Sequence, residues 1–284
     1  MSDPVMRRTE GDGIQIQLAA WEGEGQLILC VHGLTANCRC WDLIASSLVP
    51  GNNILAMDLR GRGLSDKPAS GYSLQHHIRD IVCLLDDLKQ ERIVLMGHSL
   101  GAFIALSFAA KYPERTEKII LMDGGGQLTQ GQWDKVTLAI KPSLDRLGQV
   151  FPSFEAYVAN MKLAPFLQPW SQALEDYFRY EAELVEGGVR SRINPANILE
   201  EAQNIQQETP SKYYSKVTCP VLILRATDGI LSNDDFVLPE SAVDRMVSEI
   251  PNARRADING TNHFSILFQP HEARDKAIRE FLEK

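Results

Sequence analysis

The chain has 284 residues, 44% of them hydrophobic and 23% charged, which is ordinary for a globular protein and enough to build a large core. Its 29 Lys and Arg against 37 Asp and Glu leave a formal net charge of −8, which argues against nucleic acid and anionic membrane surfaces as partners. The five cysteines are an odd count without a C-x-x-C pair or a zinc set, so they read as reduced thiols, and with no apolar leader in residues 1–13 and no long apolar run a cytoplasmic protein without a membrane span is expected.

Residues 14–21 partly alternate in polarity and end in Glu22-Gly23-Glu24-Gly25, as an edge strand before a turn does. Residues 27–31 are continuously apolar, a strand buried on both faces, and run into His32-Gly33-Leu34-Thr35. A short helix over 40–48 and a turn at Pro50-Gly51-Asn52 lead to a buried strand at 54–57. The glycine-rich Asp58-Leu59-Arg60-Gly61-Arg62-Gly63-Leu64-Ser65 follows it. Ser73 is a candidate N-cap for a helix whose apolar positions are Leu74, Ile78, Ile81, Val82, Leu85 and Leu88, with His76 and His77 read as surface residues. Apolar strands at 93–96 and 119–122 flank a small, apolar helix over 102–110, and the second strand runs into Asp123 and three glycines. Strands alternating with helices in this way predict a mostly parallel sheet covered on both faces.

The rhythm changes between residues 126 and 213. Strand-like runs disappear, and aromatics from Trp133 to Tyr180 sit in helical-looking stretches. Asn194-Pro195 reads as an N-cap with proline at the first helical position. After Lys216 the alternation resumes, with a strand at 221–224, a helix at 241–249, a weak strand at 254–258 and a helix at 270–282. The expected organisation is therefore a core at 1–125, an inserted helical cap at 126–213, and the core again at 214–284.

Between the 93–96 strand and the following helix lies Gly97-His98-Ser99-Leu100-Gly101, a match to G-x-S-x-G. In that geometry the serine occupies a sharp strand-to-helix turn, which lifts its hydroxyl clear of the sheet and aims free helix N–H groups at whatever it attacks. A random chain of this length holds such a pattern about one time in ten, so context must decide. The context is a histidine and carboxylates after later strands: Asp228 in Ala226-Thr227-Asp228-Gly229, and His263 in Gly260-Thr261-Asn262-His263-Phe264. Functional groups of open parallel sheets collect at those carboxyl ends. Asp123, directly after the 119–122 strand, competes with Asp228 for the acid, and Asp228 is preferred.

On His32-Gly33, the Asp58-x-Arg60-Gly61-x-Gly63-x-Ser65 loop, the G-x-S-x-G turn, Asp228 and His263, the chain resembles the α/β-hydrolase superfamily over essentially its full length. It is most similar to small, cap-bearing carboxylesterases, lactonases and carbon–carbon bond hydrolases. The resemblance implies an α/β fold with a mostly parallel eight-stranded sheet flanked by helices and carrying an inserted helical cap. It also implies a triad of Ser99 as nucleophile, His263 as base and Asp228 as its orienting acid. Backbone N–H groups of Leu34 and Leu100 would form the oxyanion hole. No cofactor or metal is required. Of the remaining histidines, His32 is read as a support of the oxyanion loop, His98 as the variable residue of the turn and His271 as the start of a solvated helix. Arg60 and Arg62 are read as holding their glycine loop to its neighbours or facing water.

A serine at position 99 argues against haloalkane dehalogenases and epoxide hydrolases of this fold, which need a carboxylate there. Leu34-Thr35-Ala36-Asn37 replaces the Ser/Gly-rich stretch usual in carbon–carbon bond hydrolases. The expected activity is hydrolysis of a small, fairly apolar ester or lactone, with a carbon–carbon bond hydrolase and a triad-bearing ligand receptor as the alternatives.

Overall fold

Continuous apolar runs form the middle of the sheet, because a central strand is covered by helices on both faces and has no solvent side. A computed structural model describes residues 3–284. The chain runs through β1 (Val5–Glu10), β2 (Gln15–Trp21), β3 (Leu27–Val31), α1 (Asp42–Leu48), β4 (Asn53–Met57), α2 (Leu74–Asp87), β5 (Ile93–His98), α3 (Leu100–Lys111) and β6 (Thr116–Met122). Next come α4 (Gln130–Asp145), α5 (Phe154–Met161), α6 (Gln172–Glu181), β7 (Ala182–Val185), β8 (Gly188–Ser191), α7 (Pro195–Gln206) and α8 (Ser211–Tyr214). The chain closes with β9 (Val221–Ala226), α9 (Glu240–Glu249), β10 (Ala253–Ile258), α10 (Ser265–Phe268) and α11 (Glu272–Leu282).

Eight strands make one sheet in the order β1-β2-β4-β3-β5-β6-β9-β10. Only the β1–β2 and β2–β4 pairs are antiparallel; the others are parallel. Alternation along each strand divides the core in two. Leu29, Val31, Leu95 and Leu121 pack beneath helices that include α2, α3 and α9. Ile28, Cys30, Met96 and Met122 face α1, α10, α11 and part of the inserted segment. The expected sheet is therefore present, and β5 and β6 lie beside one another at its centre.

One strand had no signal in the sequence, and two local expectations change. Val5–Glu10 is a strand although most of it is exposed, because its order comes from pairing with β2 rather than from burial. The segment expected to be helical also contains the β7–β8 hairpin. Its strands are four residues each and too short to register as apolar runs. His77, read as a surface residue, is fully buried. The helix face it occupies is covered by α7, whose Glu201 carboxylate lies 2.8 Å from His77 Nε2. All five cysteines are free, and no helix among the described residues is long and apolar enough to cross a membrane.

Candidate active site

Ser99 occupies the single residue between β5 and α3, with φ 54° and ψ −117°. This is a left-handed conformation that costs a non-glycine residue about 1–3 kcal/mol and persists only where the surroundings enforce it. The flanking glycines explain how. A Cβ on Gly97 would collide with the carbonyl of Gly101, and a Cβ on Gly101 with the carbonyl of Val31. The strand and helix can therefore approach closely enough to force the turn. Leu100 is the first residue of α3, so its N–H has no acceptor within the helix.

Asp123 is also at positive φ, 46°, immediately after β6. Its carboxylate is buried, with Oδ1 accepting the Ala226 N–H at 3.1 Å and Oδ2 accepting His263 Nδ1 at 2.7 Å. The structure thus corrects the expected acid. Asp228 is exposed; its N–H donates to the carbonyl of Thr261 at 2.9 Å, and its carboxylate meets only the Thr227 hydroxyl, at 3.3 Å. The reason is strand length. β9 continues to Ala226, two residues beyond its apolar run, because Arg225 is buried by donating to the carbonyl of Leu238. Asp228 is thereby carried past the sheet rim into the turn. β6 and β9 are neighbours, so the carboxylate that ends β6 fills the place beside His263 instead.

With Nδ1–H directed at Asp123, the free ring nitrogen of His263 is Nε2. Ser99 and His263 line the same two cavities. The Ser99 hydroxyl makes no hydrogen bond among the described residues, and in substrate-free sites the hydroxyl–imidazole contact is commonly looser than in the reacting complex. His98 packs its ring against that of His263, with centroids 4.4 Å apart, and its Nε2 donates to the His263 carbonyl at 2.9 Å. Burial, reinforced by the neighbouring imidazole of His263, holds the His98 ring well below the usual histidine range, so it is a neutral support.

The loop after β3 is held by three successive carbonyls, each accepting from a buried side chain. The Leu59 N–H donates to His32 Nε2 at 3.0 Å, which leaves the proton on Nδ1 to reach the Gly33 carbonyl at 2.7 Å. Burial pushes the His32 ring down to about 3, against the Gly33 hydrogen bond that favours its charge. Arg62 Nε donates to the Leu34 carbonyl at 3.1 Å, and Arg146 Nη2 to that of Thr35 at 3.2 Å. With its carbonyls tied, the loop presents the Leu34 N–H, which has no acceptor among the described residues. Leu34 lines both cavities that Ser99 lines, and Leu100 lines one of them.

Both arginines are neutralised from the inserted segment. Arg62 Nη2 lies 2.8 Å from Glu201 on α7, and Arg146 binds both carboxylate oxygens of Glu181 on α6, at 2.8 and 3.0 Å. Burial alone would raise the Glu201 carboxyl, but the adjoining His77 and Arg62 charges outweigh it and hold it at about 2. Arg60 lies against Asp80, with two contacts of 2.7 Å. The expectation that Arg60 and Arg62 hold the glycine loop to its neighbours therefore describes their contacts; the coupling of the loop after β3 to α7 and to Arg146 had no sequence signal, since Arg62 lies 139 residues from Glu201 and Arg146 lies 111 from Thr35.

The model of the family described as "alpha/beta hydrolase fold" matches residues 26–270. The 2-(acetamidomethylene)succinate hydrolase of Mesorhizobium japonicum is 28% identical over 266 residues, 92% of this chain and 90% of that protein. A serine hydrolase-like protein of Danio rerio is 26% identical, over 91% of this chain and 82% of its own length. Among solved structures, that of E-2-(acetamidomethylene)succinate hydrolase superposes with a TM-score of 0.87 at 26% identity, covering 99% of this chain and all of the other.

Proposed function

Since the chain belongs to the alpha/beta hydrolase fold family, we propose that it is a serine hydrolase that cleaves small, uncharged, fairly apolar carboxylic esters through an acyl-enzyme. The observation that carries this reading is the 2.7 Å contact from His263 to Asp123, next to a serine held in a strained turn. His263 Nε2 takes the Ser99 proton as Oγ bonds to the ester carbonyl carbon. The negative charge that develops on the carbonyl oxygen is met by the N–H groups of Leu34 and Leu100, each such donor being worth about 3 kcal/mol in the transition state. The carbon–oxygen bond to the alcohol then breaks, and the alcohol leaves with the proton from His263. Water repeats the cycle on the acyl-enzyme and releases the acid. Asp123 keeps its charge throughout and stabilises the imidazolium.

The electrostatics of the cavities favour an uncharged substrate. The name of the Mesorhizobium japonicum relative contains a dicarboxylate, succinate. Here the cavities around Ser99 are lined by no lysine or arginine, and Arg146 in the adjoining chamber already holds the Glu181 carboxylate. A substrate carboxylate entering these cavities would lose its hydration without gaining a free cation. The apolar lining suits an ester or lactone with hydrocarbon on both sides of its carbonyl.

Incubation with a fluorophosphonate followed by peptide mass spectrometry tests the nucleophile. Modification at Ser99, together with turnover of short-chain esters that Ser99→Ala abolishes in a folded protein, is the expected result. Unmodified Ser99 and no ester turnover overturn the reading. Absent turnover combined with ligand-induced thermal stabilisation would mark a receptor instead.

A further inference from the structure

The cavities around the serine form a graded series. An outer chamber of about 390 Å³ lies among α4, α5, α6 and the Phe264–Phe268 segment, and its rim residues Asp145, Gln149, Asn160 and Leu163 are exposed. It shares Thr35, Ser143, Tyr177, Phe264 and Phe268 with a 70 Å³ space that contains Ser99, His98 and His263. On the other side of Ile140, Ser99 and His263 also border an inner space of 60 Å³. Apart from those two residues its wall is entirely apolar, with Leu100, Phe103, Leu128, Val136 and Ile205 all buried and no exposed residue in it.

We infer that the acyl and alcohol halves of the substrate are sorted between these chambers, a short aliphatic acyl group inward and a larger, uncharged, aromatic or bulky apolar alcohol outward. The inference rests on the acyl-enzyme reading above. The inner space, 60 Å³ against about 390 Å³ for the outer chamber, suits the smaller half of the substrate. Orientation follows from the order of events. When the ester carbon–oxygen bond breaks, the alcohol takes the His263 proton and must leave while the acyl carbon is still bonded to Ser99 Oγ. The outer chamber has exposed residues at its rim and the inner space has none, so an alcohol lodged outward departs without passing the acyl group, and the hydrolytic water enters by the same route. The outer walls suit an aromatic ring: Phe166 stacks on Phe264 at 4.5 Å, and Tyr177 meets Phe268 edge-on at 4.9 Å. Its one buried cation, Arg146, is tied to Glu181, so the chamber selects for shape and apolar surface rather than charge.

A matched pair of esters tests the assignment on the full-length protein. The esters 2-(1-naphthyl)ethyl acetate and ethyl 4-(1-naphthyl)butanoate carry the same ring on opposite sides of the carbonyl, with alcohols of similar leaving ability. The acetate is expected to have a kcat/KM at least about tenfold higher. In Ala164→Trp, which fills the outer chamber, the preference for naphthylethyl acetate over ethyl acetate should shrink about tenfold. In Val136→Phe, which fills the inner one, the preference for ethyl butanoate over ethyl acetate should shrink instead. A preference for the naphthylbutanoate, or ratios unmoved in both folded variants, overturns the sorting while leaving the serine chemistry standing. If neither ester is hydrolysed and the fluorophosphonate does not modify Ser99, the acyl-enzyme reading fails and takes the sorting with it.

Discussion

Asp123 and Ser99 both sit at positive φ, at the ends of adjacent parallel strands. Such a conformation turns each side chain away from its strand at the sheet rim, where the two can serve one imidazole. Asp123→Asn should lower kcat by about 10³–10⁴-fold, because the amide misplaces the His263 proton, whereas Asp228→Asn should change it by less than about twofold. Steady-state kinetics on the two variants check this. His32 adds a pH dependence. Its folded pKa of about 3 lies below the ordinary 6.5, so the unfolded chain takes up a proton that the buried ring refuses. Its contribution to stability is complete above about pH 6.5 and is lost as pH falls toward 3. Glu201 behaves alike in a lower window, from 4.5 to about 2. Urea midpoints measured from pH 7 to 4 should therefore fall more steeply in the wild type than in His32→Gln, whose side chain does not titrate.

At the scale of elements, α7 and the loop after β4 act as one unit. Glu200 accepts the N–H groups of Gly71 and Tyr72, Asn197 donates to the Tyr72 hydroxyl, and Glu201 holds Arg62. Arg62 in turn donates to the Leu34 carbonyl, so the position of α7 and the conformation of the loop after β3 are coupled through a single guanidinium. Glu201→Leu strands that buried cation and should cost about 3–5 kcal/mol of stability, measured by denaturant unfolding. Adding Arg62→Met removes the stranded charge and should recover most of the loss. In that double variant kcat should stay about tenfold down at unchanged KM, because the Leu34 carbonyl has lost its donor and the missing interaction matters mainly in the transition state. A wild-type kcat in the stable double variant would show that the loop needs no such support.

For the molecule as a whole, the inserted segment is not an independent domain in its packing. Tyr157, Val158, Phe166, Leu174 and Phe178 belong to the same apolar cluster as Ile28, Val94 and Met122 of the sheet. Shared burial of this kind couples the unfolding of the two parts, so calorimetry should show one transition with calorimetric and van't Hoff enthalpies in agreement. Separate transitions would mean that the segment can open without the sheet. The strand-helix rhythm, the serine turn and the histidine beyond the last strand were legible from the residues themselves, because strand burial and turn chemistry are local and leave apolar runs and glycines at set spacings. The choice between Asp123 and Asp228, the burial of His77 under α7 and the pairing of Arg62 and Arg146 with distant glutamates were decided only in three dimensions. Each depends on which strands become neighbours, how far a strand runs past its apolar residues, and what packs over a helix face, and no local pattern encodes those facts.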